Sequence, residues 1–359
     1  MIQRIYVATI LPEHLIAKHK LSFAACNFSF NLMSGGWFNK TYSVLPLYTG
    51  GEMDREAFED ERFELVYNDL RKKGGSWKTL AALKEQGTIF KRIPKGSTVW
   101  YYNLSTLNAL LFVLLKIFKP SVQQNVIVLD FTPVVSGFGV SRIYLKLINA
   151  AHGRICLANS SLFKNEKSAI LPGVVPNNEE ILPLISMPTK SFLLSGAINE
   201  TIAQTSMVLE AFAQLPDCEL HVTGTGKTKM VVEYAAKYTN IHWHGQLSFN
   251  GYLELLHSVT FQLSTRDPNM PENQCNFPSK IIESLLHNRI IISTIEYKQL
   301  DGIKYFKASS QQKFFKQHID GIAHMSEKSL MEYANQGKKV AEMFSTKVWN
   351  ETMEMIESK

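Results

Sequence analysis

The hydrophobic positions of this chain fall into short apolar runs separated by amphipathic or polar segments, an alternation typical of α/β proteins. In the first half, Ile5–Ile10, Thr98–Asn103 and Val126–Phe131 predict buried strands, and Leu107–Phe118 predicts a helix between the last two. A strand–helix–strand unit with buried strands implies a parallel sheet. The helix is apolar almost all round, but it is shorter than the ~20 residues that a membrane span requires.

The second half of the chain repeats this alternation. Phe192–Ser195, Glu219–Thr223 and Val259–Thr265 predict strands, and Gln204–Gln214 predicts a helix. Between the halves, a proline- and asparagine-rich run at residues 172–178 interrupts the pattern, and further prolines before residue 190 suit a linker. At 359 residues the chain is long enough for two domains, each with its own core.

The stretch from Val259 to Thr294 holds most of the candidate chemistry. It reads as strand, loop, helix and strand, and Phe277-Pro278-Ser279 opens the helix with proline in its first turn. Such a unit directs a helix N-terminus to the carboxyl edge of the sheet, where anionic ligands bind. Arg266 at the strand exit and Lys280 in the first helical turn add two positive charges. A cation is disfavoured at a helix N-terminus, so we infer an anion that both residues share, such as a diphosphate.

This stretch resembles the "R … FPSK … E" segment of bacterial glycosyltransferases of family 4, through Arg266, the run Phe277–Glu283 and the following strand. The resemblance implies the GT-B architecture, an α/β fold of two Rossmann-like domains with parallel sheets facing across a cleft. Residues 1–178 would form the acceptor domain and residues 179–340 the nucleotide-sugar domain. Residues 341–359 would form a final helix that crosses back to the first domain.

The resemblance also implies roles for individual residues. Arg266 and Lys280 would stabilise the leaving diphosphate, and Glu283 would bind the ribose. The predicted donor-binding positions are Gly196, Gly224, Gly226, Gln246, Pro278, Ser279 and Glu283. Two departures stand out: Cys275 occupies the position of the family's commonest first glutamate, and the Gly196–Thr201 loop lacks the usual Arg and Lys.

Asp130 is the third candidate catalytic residue. It lies at the exit of the strand Val126–Phe131, shortly before Pro133. At the edge facing the expected cleft, its carboxylate could bind acceptor hydroxyls or take a proton from one of them. A turn-forming Asp before proline explains the same residue without any chemistry.

Two other motifs have competing interpretations. Gly224–Thr228 reads GTGKT, but a P-loop needs a glycine where His221 stands, inside the predicted strand, so a short turn in a nucleotide-sugar domain is the better interpretation. His242 and His244 form a His-x-His pair without a carboxylate partner, which is usually structural, and we predict no metal site.

The composition of the chain indicates which cellular compartment and which binding partners to expect. The net charge of +6 and pI of about 8.9 suit a phosphate-bearing ligand or an anionic membrane surface, and are too mild to indicate nucleic acid. Four widely spaced cysteines fit a reducing compartment. The apolar run at the N-terminus is too short for a signal peptide. We expect a cytoplasmic protein that contacts the cytoplasmic membrane peripherally.

The charged region at residues 54–92 has two interpretations. It clusters bases at Arg71-Lys72-Lys73 and Lys91-Arg92, and a solvated helical face is the favoured explanation. Contact with anionic lipid headgroups is the alternative.

Taken together, the residues and the resemblance predict a metal-independent glycosyltransferase without a cofactor. It would move a sugar from a nucleoside-diphosphate donor to a glycan or lipid-linked glycan. Retention of configuration and a role in surface-polysaccharide synthesis are implied by the resemblance alone. The alternatives are a non-catalytic GT-B protein that binds nucleotide-sugars and a sugar-nucleotide epimerase.

Overall fold

The computed structural model describes residues 2–16, 19, 21–45, 61–129, 131, 139–163, 166–177 and 181–358. The chain divides into two compact units. The first unit comprises Met1–Asn177 together with Phe344–Lys359, and the second unit comprises Asn178–Met343.

The first unit is built on a seven-stranded sheet in the order β3-β2-β1-β4-β5-β6-β7, with parallel pairing throughout. Its middle strands are buried on both faces, with Ile5, Trp100 and Ile127 at 0% exposure. The strands are β1 (Arg4–Ala8), β2 (Lys40–Val44), β3 (Phe63–Val66), β4 (Thr98–Tyr102), β5 (Gln123–Val128), β6 (Gly153–Cys156) and β7 (Ser168–Ile170). The helices are α1 (Glu13–Ile16), α2 (Phe23–Ser34), α3 (Ser76–Arg92), α4 (Ala109–Phe118) and α5 (Val140–Asn149).

The last helix of the chain, α14 (Thr346–Ser358), belongs to the first unit. The carboxylate of Glu357 accepts hydrogen bonds from Arg4 Nε at 2.8 Å, Trp37 Nε1 at 3.1 Å and Trp100 Nε1 at 2.9 Å. Trp349, fully buried, donates from Nε1 to the carbonyl of Gly173 at 2.7 Å. These contacts fix the end of the chain to its first strand and to β4.

The second unit is built on a six-stranded parallel sheet in the order β10-β9-β8-β11-β12-β13. Its strands are β8 (Ser191–Ile198), β9 (Glu219–Gly226), β10 (Ile241–Trp243), β11 (Phe261–Ser264), β12 (Ile290–Ser293) and β13 (Phe306–Lys307). Its helices are α6 (Thr205–Phe212), α7 (Lys229–Lys237), α8 (Phe249–Ser258), α9 (Pro271–Cys275), α10 (Ser279–Leu286), α11 (Gln312–Ala323), α12 (Glu327–Met331) and α13 (Gly337–Met343). Phe192, Phe212 and Phe261 stack in its core.

The prediction of an α/β fold with two parallel sheets is confirmed. Leu107–Phe118 was expected to be a buried helix, and α4 buries Leu111, Phe112 and Leu115 against the sheet. Within the described residues, none of the helices combines the length and hydropathy that a bilayer crossing needs.

Several element boundaries differ from the sequence-based expectation. The predicted loop at Gly196 and the predicted turn at Gly224–Gly226 lie inside strands, because β8 and β9 stay paired to Ile198 and Gly226. The loop before α10 contains the short helix α9. The final helix predicted at residues 341–359 begins later, because α13 ends at Met343 and α14 starts at Thr346.

Candidate functional site

The strand order of the second sheet identifies one point on its carboxyl edge. The chain runs from β8 to β9 and β10 on one side, and then crosses to β11 and β12 on the other. The direction of winding therefore reverses between β8 and β11. In open α/β sheets, ligands bind outside the carboxyl ends of the strands at such a switch point.

Helix α10 starts close to this point, directly after β11 and its loop. It begins at Ser279, and Pro278 before it is extended, with φ −73° and ψ 115°. No side chain caps the helix, so its first N–H groups lack the usual side-chain acceptor. Buried Ile281 and Leu285 hold the helix against the sheet. An uncapped N-terminus with its positive dipole end is suited to bind an anion.

Lys280 in the first turn of α10 has two partners within the protein. Its Nζ donates to Glu283 at 2.9 and 3.2 Å, and it lies 3.6 Å from the centroid of the Tyr252 ring. Burial lowers the pKa of Lys280, but Tyr252 and Glu283 outweigh this effect and leave the pKa above its ordinary value. Glu283 and Tyr252 thus explain why a cation is tolerated at this N-terminus, which we had attributed to a bound anion alone. The two residues predicted to bind diphosphate and ribose are partners of each other.

Tyr252 on α8 is a part of the site that sequence reasoning missed. Its side chain is 6% exposed, and burial raises the pKa of the phenol to about 12. The hydroxyls of Ser284 and Ser195 lie near its Oη, but neither Tyr252 Oη nor Ser284 Oγ has a hydrogen bond of normal geometry. Buried polar groups are rarely left unpaired, so the hydroxyl of Tyr252 is an unusual feature of the packing beside Lys280.

Arg266 leaves the sheet two residues after β11 ends. Its Nη1 donates to Asn273 Oδ1 at 3.3 Å, and Asn273 on α9 donates to the carbonyls of Thr201 and Asp267 at 3.0 and 2.8 Å. The nearby Tyr297 side chain is 5% exposed. Burial raises the pKa of its phenol to about 12, although the positive charge of Arg266 acts to lower it. Arg266 thus contacts Asn273 of α9, whereas Lys280 contacts Glu283 and Tyr252.

The three predicted donor-binding glycines serve the strand pair β8–β9. Gly196 and Gly224 are paired in register, and so are Ile198 and Gly226. Gly224 has a φ of 146°, and a Cβ there would lie 1.8 Å from the Gly196 carbonyl oxygen. A Cβ at Gly226, with φ 126°, would lie 2.6 Å from the carbonyl oxygen of Ile198. Only glycine permits this close approach, which accounts for the GxG spacing through strand packing.

The GTGKT run does not form a phosphate-wrapping loop. Its Lys227 donates its backbone N–H to the Ile198 carbonyl at 2.8 Å, at the end of the strand pair. The predicted short turn is also not a separate element, because the first three residues of the GTGKT run continue β9.

The segment after β8 already contains an anion. Glu200 accepts from Ser206 N at 3.2 Å and from Ser206 Oγ at 2.8 Å, in the first turn of α6. Asn199 Oδ1 accepts from Ile202 N at 2.7 Å. The start of α6 is therefore satisfied by carboxylate and amide oxygens of the chain, in a segment that also lacks Arg and Lys.

The turn after β10 contains His244 and Gln246, and the expectation that the histidine pair lacks a carboxylate partner was wrong, because His242 Nε2 lies 2.5 Å from Glu219 Oε2. Gln246 is exposed and follows Gly245, whose carbonyl accepts from Gly224 N at 3.0 Å. His221 Nδ1 and His244 Nε2 lie 3.0 Å apart, and burial, together with the neighbouring His242 and His244, lowers the pKa of His221 to about 4. Among the residues that the structure describes, no group of three or more potential ligands is arranged for a metal ion.

Two further predicted positions remain. Asp130 lies outside the described residues, so its proposed part in acceptor binding stays a prediction. Cys275, which replaces a glutamate of the family, ends α9 and is 3% exposed.

Comparison with known proteins identifies the fold. No protein-family model and no curated protein matches the sequence. Sucrose-phosphate synthase from Thermosynechococcus elongatus is similar in structure over 99% of this chain and 98% of its own, with a TM-score of 0.69 and 10% identity. A structure described as trehalose-6-phosphate from E. coli bound with UDP-2-fluoro glucose is similar over 99% and 98%, with a TM-score of 0.64 and 8% identity.

A third similar structure is a mutant of S. aureus TarM in complex with fondaparinux, alpha-GlcNAc-glycerol and UDP. It covers 76% of this chain and 58% of its own, with a TM-score of 0.55 and 15% identity. These neighbours are GT-B glycosyltransferases, and the likeness shows that this chain has the GT-B fold.

Proposed function

We propose that the protein is a glycosyltransferase that uses a nucleoside-diphosphate sugar. The observation that carries the proposal is the N-terminus of α10 without a side-chain cap near the switch point of the second sheet, with Lys280 in its first turn and Arg266 two residues after β11 in the sequence. Two neighbours of the same fold were solved with UDP or a UDP-sugar analogue bound, which supports the choice of donor.

In this proposal the leaving diphosphate binds at the first turn of α10. Arg266, Lys280 and the free N–H groups would stabilise the negative charge that develops as the sugar leaves, and preorganised donors of this kind are usually the largest catalytic contribution. Glu283 would bind the ribose. Because it also holds Lys280 at 2.9 Å, it would keep the ammonium group oriented before the donor arrives.

The acceptor is the less constrained part of the proposal. A glycan or lipid-linked glycan would bind to the first unit, with Asp130, which follows β5 by two residues in the sequence, as the candidate contact. Retention of configuration, catalysis without a metal or a cofactor, membership of family 4 and a part in surface-polysaccharide synthesis at the cytoplasmic membrane are proposed from the resemblance.

A non-catalytic nucleotide-sugar-binding protein is the second candidate. The observation that favours it is Glu200, whose carboxylate occupies the first turn of α6 in a segment without Arg or Lys. A donor at the switch point would meet that negative charge on the β8 side. The epimerase alternative needs acid and base carboxylates, and no contact of the described residues favours it over transfer.

Calorimetry on the full chain with nucleoside diphosphates of each base, and with the matching monophosphates, tests the proposal. We expect one diphosphate to bind at least about tenfold more tightly than its monophosphate, because the second phosphate adds charge-assisted hydrogen bonds. Equal affinity for both would contradict the diphosphate site. The corresponding nucleotide-sugar is then incubated with and without candidate acceptors. Consumption that requires an acceptor supports transfer, consumption of the donor alone supports epimerisation or hydrolysis, and binding without consumption supports the second candidate.

A further inference from the structure

Helix α3 of the first unit has its large apolar side chains on the outside. Trp77, Leu80 and Leu83 are 43%, 47% and 43% exposed. Its buried residues are Ala81, Ala82, Glu85, Gln86 and Ile89. A surface helix ordinarily turns its apolar stripe to the core and its polar residues to water, and α3 departs from this by burying Glu85 and Gln86 while its tryptophan and two leucines are exposed.

Polar contacts fix α3 in this orientation. Glu85 and Arg71 form a buried ion pair in which Arg71 Nε donates to Glu85 Oε1 at 2.8 Å, and both side chains are 1% exposed. Gln86 Oε1 accepts from Leu111 N at 3.0 Å, while Gln86 Nε2 donates to the Thr106 carbonyl at 2.9 Å. Rotating the helix to bury Trp77 would break this ion pair and leave buried charges unpaired, which is strongly unfavourable. The exposed apolar stripe is therefore a stable feature of the fold.

The exposed charges of α3 itself are all positive, although Glu64 pairs with Arg92 and Asp69 pairs with Lys72 beside the helix. Lys78, Lys84, Lys91 and Arg92 are the exposed charged residues of α3, and its one carboxylate is the buried Glu85. Lys73, just before the helix, lies 4.7 Å from the centroid of the Trp77 ring. The asymmetry continues along the sequence, since residues 86–165 contain nine Lys and Arg but a single acidic residue, Asp130.

Helix α5 extends the same surface. Ile143 is 59% exposed, and Arg142 and Lys146 beside it are exposed as well. A groove with a volume of about 370 Å³ runs between the two helices, and its lining includes Leu83 of α3 and Tyr144 of α5. Both helices thus border a groove of mixed lining, to which α3 contributes Lys78 as well as Leu83.

We propose that this surface docks on an anionic lipid bilayer. We call it the α3 face and define it by Lys73, Trp77, Lys78, Leu80, Leu83 and Lys84. Its tryptophan and leucines would lie at the boundary of headgroups and acyl chains, while its lysines contact lipid phosphates. Amphipathic Trp and Lys side chains are typical of that boundary. Among the described residues, Lys73, Lys78 and Lys84 of this face form no ion pair with a carboxylate, which favours a surface of many negative groups over a protein partner of mixed charge. The proposal stands independently of the enzymatic one.

Sedimentation of the full chain with vesicles tests it. We expect binding to phosphatidylcholine vesicles that contain phosphatidylglycerol and none to pure phosphatidylcholine, and we expect salt to weaken the binding. The triple variant Lys73→Gln/Lys78→Gln/Lys84→Gln should reduce the partition constant about a hundredfold or more. The variant Trp77→Ala/Leu80→Ser/Leu83→Ser should reduce it at least about tenfold through the lost apolar area.

Matched controls change exposed residues elsewhere. Lys229→Gln/Lys304→Gln/Lys347→Gln removes the same charge, and Met187→Ser/Val232→Ser/Met355→Ser removes exposed apolar groups. Both should bind vesicles like the unaltered protein, and thermal unfolding should show that all variants remain folded. The proposal is overturned if the unaltered protein stays in the supernatant, if it binds both vesicle types equally, or if the α3 variants bind as well as the controls.

Discussion

Helices α6 and α10 both start at the carboxyl edge of the second sheet, one after β8 and the other after β11, and they satisfy their first peptide groups differently. At α6 the chain supplies its own acceptor, since Glu200 binds the N–H and hydroxyl of Ser206. At α10 no side chain caps the helix, and a cation, Lys280, stands in the first turn. The two starts flank the same switch point with opposite charges.

The difference shows that a helix N-terminus is an anion site only while the chain leaves it unoccupied. The dipole of α6 is as positive as that of α10, but a covalently attached carboxylate already uses it. At α10 the nearest carboxylate, Glu283, sits one turn into the helix and binds Lys280. We therefore expect a phosphate-bearing ligand at α10, and the following experiments test that contrast.

The largest expected effect is on turnover. Lys280→Gln should lower kcat/KM for sugar transfer by about a hundredfold or more, because it removes a preorganised charge from the leaving diphosphate. Lys227→Gln is the matched control, since Lys227 is exposed at the end of β9. It should stay within about twofold of the unaltered enzyme, whereas a P-loop would lose its essential lysine. Equal losses in both variants would contradict the assignment of the site to α10.

Acid should affect α10 through His287, which follows its last residue. Burial, with the charges of Arg289 and Lys280, lowers the pKa of His287 to about 4, and its Nδ1 accepts from Leu182 N at 3.3 Å. The folded state therefore binds fewer protons than the unfolded state. The contribution of neutral His287 to the free energy of unfolding is complete above pH ~6.5. It is lost as the pH falls towards 4, and the free energy of unfolding falls by up to about 3 kcal/mol.

Denaturant unfolding of the unaltered protein and of His287→Gln over this pH range measures that contribution. The variant cannot titrate at this position, so its stability should fall less steeply between pH 6.5 and 4. Parallel curves for the two proteins would show that His287 is not held neutral. Helix α6 offers no such group, because the residue that follows it is Ala213.

Exchanging the charges at the two helix starts should shift the affinity for diphosphate in opposite directions. Ser279→Asp places a carboxylate on the exposed first residue of α10, and should weaken binding about tenfold while the fold stays as stable or gains slightly. Glu200→Gln should leave binding equal or tighten it, at a cost of about 1 kcal/mol in stability from the weaker cap. Calorimetry measures the diphosphate affinity of both variants, and thermal unfolding measures their stability. Tighter diphosphate binding by Ser279→Asp would contradict the proposed difference between the starts of α6 and α10.

The smallest expected effect concerns two hydroxyls. Tyr252 Oη beside α10 has no partner, so Tyr252→Phe should leave the free energy of unfolding unchanged or raise it by up to about 1 kcal/mol. Thr205 Oγ1 at the start of α6 donates to the Asn199 carbonyl at 3.1 Å. Thr205→Val should therefore lower the free energy of unfolding by about 1 kcal/mol. If a ligand uses the Tyr252 hydroxyl, the phenylalanine variant also binds it more weakly. Destabilisation by both changes would indicate that Tyr252 is satisfied in the folded protein.

The sequence indicates much of the site because its signals are local. The apolar run before Arg266, the proline at position 278 and the paired apolar positions of α10 define strand, loop and helix within thirty-six residues. Tyr252 could not be found in this way, since it lies on α8 and reaches Lys280 only through tertiary packing. The glycines at 196 and 224 were read as loop residues because their pairing depends on sheet register, which short-range periodicity does not encode.

For helix α3, the local sequence signals did not predict which side chains are exposed. Its spacing of Trp77, Leu80 and Leu83 predicts a buried stripe, whereas its many charges led us to expect a solvated face. Neither describes it fully, because the ion pair between Arg71 and Glu85 holds a polar side of the helix in the interior. A partner fourteen positions away on a separate segment outweighs the helical periodicity.

Glu357 has a consequence for how the protein is made. Its carboxylate receives three hydrogen bonds from the first, second and fourth strands or the loops beside them, although some 350 residues separate it from Arg4. During synthesis on the ribosome, the strands of the seven-stranded sheet are made first. The carboxylate of Glu357 is added only after the whole of the second unit has been synthesised. At about 5–20 residues per second, that delay lasts on the order of ten seconds or more. During it, Arg4 and Trp37 can stack on each other, at 3.9 Å in the folded protein, but both lack the carboxylate that they share with Trp100.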